Sequence, residues 1–443
     1  MILKKTLPYC LFIIACGVLL FSSVDAQLIQ QEDLSGYYHF KVEHYLDKEN
    51  ALGDYYQIDQ YGIKIYACAA DKVKNQVEFE VDWKDLEVYQ QLFQRTSSGE
   101  ILNLLRLKKM SPELVSFGGF QKLKSNLHPD SIHPLKGLKI AIDPGHMAGS
   151  IKMGRIERKY IDFKQDSSGL NQHVQLVEGN LTFITANLLK QRLEEKGAIV
   201  ILSRDSQNLS AFGIDYDQWF SKKFKQDLDS AFHRGGISQA EKDFLLNKAG
   251  QEDVFSHFFK DEDLKERARK INMFHPDLTL IIHFNVDEQN TGWKKPGTKN
   301  FNMAFVPGSF TKRELEKQSD RLEFLRLIIT DDLENSICFS ETVARRFEKQ
   351  LNVPLAAEQD AVYLRKSCML TDAPGVYARN LYLTRMIHGT LVYGETLYQD
   401  NVKECLLLSK KETCTDGTET SPRLKQVADA YFEGIMNYVK RIR

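Results

Sequence analysis

The chain carries almost no net charge, no Cys-x-x-Cys pair, no internal repeat and no low-complexity tract. Its 59 Lys and Arg residues against 60 Asp and Glu give a formal charge of -1, which offers no basis for a polyanionic partner and argues for no nucleic acid. The missing Cys-x-x-Cys argues against a cysteine-built zinc site. Long apolar runs are also scarce. The one that stands out, Leu11 to Phe21 broken by Gly17, is shorter than the roughly 20 residues that a membrane span needs. No transmembrane span is therefore expected in the mature chain. Lys4 and Lys5 before this run, and Ser22-Ser23-Val24-Asp25-Ala26 after it, make residues 1–26 read as a signal peptide cleaved before Gln27. Ile13-Ile14-Ala15-Cys16 offers a lipoprotein-type alternative that would leave Cys16 lipidated. Either route places the mature chain outside the cytoplasm, periplasmic or secreted. Export removes Cys10 and Cys16 and leaves Cys68, Cys338, Cys368, Cys405 and Cys414, an odd number that cannot pair completely. Cys405 and Cys414 flank a polar loop and either close a small disulfide ring or remain thiols.

A length of 443 residues suits two units. Residues 27–135 form the first, a small N-terminal α+β unit of no assigned role. Tyr61 to Tyr66 and Val77 to Val81 alternate as half-exposed strands, and Leu86 to Leu107 is a helical stretch broken at Ser97-Ser98-Gly99. His128-Pro129 and His133-Pro134 punctuate the chain as a linker does. From residue 136 to 443 the pattern becomes strand, loop, helix, strand. Buried strands are expected at Leu138–Ile142, Ala198–Leu202, Leu278–Ile282 and Gly389–Tyr393, with an amphipathic helix over Asn180–Glu195 and another over Leu424–Val439. Such alternation predicts an α/β fold: a largely parallel twisted sheet with helices on both faces. Residues 207–263 interrupt it with a polar stretch too long for an ordinary connection, a helical insertion.

His146 and His283 follow the ends of two of these strands, Glu395 follows a third, and Glu178 stands immediately before a helix. Ligands of open α/β sheets bind outside the carboxyl ends of the strands, so four segments deliver two imidazoles and two carboxylates to one sheet edge. Taken singly, each has a plainer reading, as a loop histidine, a helix-start acid or a turn residue. Taken together, two His and one carboxylate are a ligand set for a hydrolytic zinc site, with the spare carboxylate as base.

Ile140-Ala141-Ile142-Asp143-Pro144-Gly145-His146 resembles the opening motif of the zinc-dependent N-acetylmuramoyl-L-alanine amidases. Glu178-Gly179-Asn180-Leu181-Thr182, running on to Ser203-Arg204-Asp205, is similar to their second block. Arg267 to Asn272, followed by Ile281-Ile282-His283-Phe284-Asn285, resembles the third, and Glu395 to Asn401 the last. The resemblance implies hydrolysis of the amide between N-acetylmuramic acid and L-alanine in peptidoglycan. It implies Zn2+ held by His146, Glu178 and His283, and catalysis by Glu395. The chain departs from the family at Met147-Ala148-Gly149, in the long polar gap before Glu178, at Tyr393-Gly394 and at Leu397. None of these removes a ligand or the base, and the altered loops are expected to line the substrate groove. For the insertion the resemblance leaves two readings: a segment that occludes the metal until an activator protein displaces it, or an elaboration packed beside the sheet.

Overall fold

A computed structural model describes residues 34–96, 98–106, 132–290, 292, 295–413, 417 and 419–442. The expected signal peptide, the alternative at Cys16, His128-Pro129 and Cys414 lie outside these residues. Cys405 is a buried free thiol that donates to the Val402 carbonyl. Among the described residues, no helix is long and apolar enough to cross a membrane.

The N-terminal part opens helically through Val42–Leu46 and then forms an antiparallel sheet of Tyr56–Ile58 (β1), Gly62–Ile65 (β2) and Phe79–Asp82 (β3). The Asp59 carboxylate accepts the backbone N–H of Tyr61 at 2.8 Å and that of Gly62 at 3.3 Å, which turns β1 into β2. Helices Leu86–Arg95 (α1) and Ser98–Arg106 (α2) follow, separated where the sequence breaks.

The central sheet has seven strands. Lys139–Pro144 (β4) leads into helix Ile151–Glu157 (α3) and a separate hairpin of Tyr160–Phe163 (β5) and Val174–Val177 (β6). Helix Glu178–Glu195 (α4) returns the chain to Ile199–Leu202 (β7). After the insertion and its last helix, Lys260–Phe274 (α5), come Leu278–Asn285 (β8) and Met303–Val306 (β9). Helices Gln318–Ile329 (α6) and Asp332–Arg346 (α7) precede Cys368–Leu370 (β10), Val376–Arg379 (β11) and Thr390–Tyr398 (β12), and Pro422–Ile442 (α8) ends the fold. The strand order is β10-β11-β9-β12-β8-β4-β7. β12, β8, β4 and β7 are mutually parallel, β9 and β11 run against them, and β10 is antiparallel to β11.

Every residue of β8 but the last is buried, which requires cover on both faces. Ile140, Ile142, Leu280, Ile282 and Val392 point into the main core with α4, α7 and α8. Ala141, Ile281 and Leu391 point the other way, against Ala268 and Ile271 of α5. That second face carries the site.

Two strands run further than their apolar patterns. His283 and Glu395, expected just past strand ends, lie inside β8 and β12, because the parallel ladder continues and pairs Glu395 with His283. The ladder hydrogen bonds fix these residues more firmly than a loop would.

The N-terminal part is packed against α6 and its flanks. Lys41 donates to the Thr330 carbonyl at 2.6 Å and pairs with Glu334 at 2.8 Å, Gln90 donates to the Ile329 carbonyl at 2.6 Å, and Arg321 pairs with Glu78 at 2.5 Å. Its apolar residues, Ile63, Phe79 and Phe93 among them, share one continuous core with the central sheet.

Candidate metal centre

β4 ends in Pro144-Gly145-His146, where the chain turns sharply. His146 has a φ of 58°, a left-handed conformation that non-glycine residues adopt only when their surroundings impose it. Two buried arginines do so here. Arg267 of α5 donates to the carbonyls of Pro144 at 2.9 Å and His146 at 3.0 Å, and pairs with Asp263 at 2.7 Å and Asp143 at 3.3 Å. Arg204, after β7, donates to the carbonyls of Pro144 at 3.2 Å and Gly179 at 2.7 Å. The second and third sequence blocks thus hold the first. Gly145 admits no side chain, since a Cβ there would lie 2.3 Å from Nε2 of His283.

Glu178 is the first residue of α4, where the helix dipole favours an acid. Its Oε1 lies 3.3 Å from Nε2 of His146 and 3.0 Å from Nδ1 of His283, and accepts the backbone N–H of Phe284 at 3.2 Å. One donor atom from each of His146, Glu178 and His283 lies within 4.8 Å of the others. Nδ1 of His146 is 2.9 Å from Glu157, whose carboxylate also accepts the backbone N–H of Ala148 at 3.0 Å. That contact turns Nδ1 toward Glu157 and Nε2 toward Glu178, the orientation found behind a metal-binding histidine. The His283 ring stacks on Tyr393, with centroids 4.5 Å apart and planes 8° apart. Lys159, just before β5, stands 3.8 Å from Oε2 of Glu178.

The electrostatics follow from this crowding. Burial opposes charge on His146, but Glu178 and Glu157 outweigh it and push its pKa up to about 9. His283, with burial dominant, is pushed down to about 4. Burial works against the Glu178 carboxylate too, yet the charges of His146 and Lys159 hold its pKa well below the ordinary range. Glu395 is pushed up to about 7, by burial and then by the Glu178 charge beside it. Two carboxylates in one site therefore differ in proton affinity.

A tetrahedral zinc-sized ion about 2.0–2.1 Å from each donor sets ligand atoms ~3.3 Å apart. Glu178 stands at 3.3 Å and 3.0 Å from the two imidazole nitrogens, and the three donors lie within 4.8 Å of one another, so the set suits a divalent metal in type, with both Glu178 spacings near the tetrahedral value. The structure brings together all four residues singled out in the sequence. Glu157 and Lys159 belong to the same site and carry no sequence signal of their own, and Tyr393, visible in the sequence only as a departure from the family, joins them through its contact with His283.

The family model described as N-acetylmuramoyl-L-alanine amidase matches residues 140–435. The chain belongs to that family. Among solved structures it is similar to the CwlD amidase of Clostridioides difficile, solved in complex with the GerS lipoprotein, at 17% identity and a TM-score of 0.38, over 69% of this chain and 100% of that one. It is also similar to the amidase Ami1 of Mycobacterium abscessus, at 14% identity and a TM-score of 0.35, over 68% of this chain and 99% of that one. The catalytic domain of the amidase CwlV of Bacillus (Paenibacillus) polymyxa var. colistinus stands at 13% and 0.35, over 68% of this chain and 98% of that one. No curated protein matches the chain.

The departures from the amidase pattern have local explanations. Met147 and Ala148 do not line a groove; both are buried and pack on the insertion's aromatic cluster. Leu397 is also buried, in the main core. At Gly394 a Cβ would lie 2.3 Å from the Tyr431 hydroxyl oxygen. The long gap before Glu178 supplies Glu157 and Lys159.

Proposed function

We propose that the chain is an exported, zinc-dependent N-acetylmuramoyl-L-alanine amidase of peptidoglycan, with His146, Glu178 and His283 as ligands and Glu395 as the proton carrier. The observation that carries this reading is the convergence of the three donor sets, with Glu395 paired beside His283 on the adjoining strand. A zinc ion held there would polarise the scissile carbonyl and acidify a water molecule. Glu157 orients the His146 ring, and Tyr393 fixes the plane of His283. The raised proton affinity of Glu395 suits a carboxylate that takes a proton from water at its Oε and returns it to the leaving amine. Arg158 and Tyr160, the chain neighbours of Lys159, line a surface cleft with Arg155, Glu252, Asp287, Glu288 and Asn290.

For the insertion we favour bracing over occlusion. Its Tyr216, Trp219, Phe258 and Phe259 pack with Met147, Ala148 and α3, behind the loop that presents His146. Asn208 accepts the Gly149 N–H at 2.7 Å, and Asp263 accepts the Ala211 N–H at 2.6 Å. An activator protein that engages the insertion would act through this loop.

The deciding experiment incubates the purified mature chain with peptidoglycan, with and without chelator, and analyses the products by mass spectrometry. New stem peptides bearing N-terminal L-alanine, lost on chelation and restored by zinc, are expected. Cleavage within the stem would instead make the protein a wall peptidase, and intact peptidoglycan would make it a non-catalytic wall module.

A further inference from the structure

Arg379 lies on the sheet face that carries His283 and Glu395, yet nothing in the preceding reading uses it. It ends β11, and its guanidinium carbon sits 4.7 Å from the ring centroid of Phe305 on β9 and 4.7 Å from that of Tyr363 on the helix Val362–Ser367. Phe305 pairs with Tyr393 across β9 and β12, with ring centroids 5.9 Å apart, and Tyr393 stacks on His283. An aromatic floor therefore runs from the candidate metal ligand to the guanidinium. Tyr363 is itself held, its hydroxyl accepting the Asn285 side-chain amide at 2.7 Å.

Two rings fix the guanidinium plane but leave its N–H groups free, and an arginine held in this way loses little freedom when it binds. Among the described residues, neither an ion pair nor a hydrogen bond engages its guanidinium. Elsewhere the buried arginines have their N–H groups engaged: Arg267 pairs with Asp263, Arg326 with Glu323 and Arg423 with Glu404, while Arg204 donates to backbone carbonyls. A rigid, half-buried cation without a partner carboxylate, beside a reaction site, is a place for an external anion. Its charge also reaches the site, opposing the effects of burial and Glu178 on Glu395.

Resting on the amidase reading, we propose that Arg379 is a specificity-determining residue that binds a carboxylate on the peptide side of the scissile amide. The peptide side follows from chemistry. Once the lactyl carboxyl of the muramic acid is tied up in the amide, the glycan has no carboxylate left. The stem peptide retains more than one, and the one nearest the scissile amide is at its second residue, a D-glutamate linked through its side chain, unless that group is amidated. The inferred ligand class is thus the stem with a free second-residue α-carboxylate.

Calorimetric titration with the free stem tripeptide, which has no muramoyl amide left to cut, tests this without turnover. Wild-type protein is expected to bind the acid form about tenfold more tightly than the amidated form, one charge-assisted contact being of that order. In Arg379→Gln the ratio should fall to near one, and in Arg379→Lys, which keeps the charge but not the fork, to an intermediate value. Equal binding of both forms by the wild-type protein overturns the proposal, as does a ratio that survives in Arg379→Gln. Hydrolysis of acid and amidated muramoyl peptides is measured in parallel. Release of stem peptides with N-terminal L-alanine from both, with no preference at any stage, sinks the Arg379 assignment alone. Binding preference without any release sinks the amidase reading and leaves the carboxylate site standing.

Discussion

Gly145 and His146 show how a single backbone position can decide a site. With Cβ room of only 2.3 Å to the His283 ring, Gly145→Ala must drive the imidazole away from Glu178 or open the turn between β4 and His146. Gly145→Ala is therefore expected to lose the metal on dialysis, read by elemental analysis; a variant with full metal content would contradict the assignment of His283 as a ligand. Glu157→Gln is milder. It keeps the shape but weakens the contact that fixes His146, and partners of this kind typically contribute 10–100-fold to metal affinity. Competition with a chromophoric chelator measures that loss. Glu395→Gln separates chemistry from binding. It should lower kcat by roughly 10²–10⁴ while zinc content and ligand positions persist. Loss of zinc together with activity would instead place Glu395 among the ligands.

At the level of elements, the sequence was most legible where a strand is buried on both faces. Leu278 to Ile282 and Ile140 to Ile142 are uninterrupted apolar runs, and they form the centre of the sheet. The edge beyond β12 was illegible. β9 has four residues and β10 three, and runs so short carry no distinguishable period. Strand ends were misjudged for a related reason: His283 and Glu395 break the apolar run, and the pairing that extends it belongs to the neighbouring strand. The four site residues were legible because each directly follows a readable apolar run or opens a readable helix. Lys159 and Arg379 reach the site only through folding of a hairpin and of the unread edge. The insertion was legible as an insertion, but not in its role. If it braces the His146 loop, replacing residues 207–263 by a short linker exposes Met147 and Ala148 and should lower peptidoglycan hydrolysis and the melting temperature together. Dye release from labelled sacculi measures the first and calorimetry the second; raised activity in a folded variant would restore the occluding role and point to an activator.

For the whole molecule, the question is what ties the N-terminal part to the rest, and one buried network answers it. Glu323 of α6 is fully buried, pairs with Arg326 at 2.6 Å and with His388 at 3.2 Å, and accepts the hydroxyl of Ser98 at the start of α2. Burial alone would raise its pKa, but His388 and Arg326 dominate and lower it to about 2, from an ordinary 4.5. The folded state therefore binds this proton more weakly than the unfolded chain. The stabilisation is fully present above about 4.5 and is lost as pH falls toward 2. Protonation would leave Arg326 buried with only Asp332 as a carboxylate partner and would weaken the Ser98 contact, so the N-terminal part should loosen with the core it shares. Urea unfolding at a series of pH values should show stability declining across that window by a few kcal/mol, monitored by far-ultraviolet circular dichroism and by Trp83 emission in a Trp219→Phe, Trp293→Phe background. Glu323→Gln removes the titrating group and should flatten this decline while lowering stability at neutral pH, since Arg326 loses a buried counter-charge. An unchanged acid profile in Glu323→Gln would assign the decline to other carboxylates. If Trp83 reported a separate, earlier transition at neutral pH, the N-terminal part would be an independent unit rather than one sharing this core.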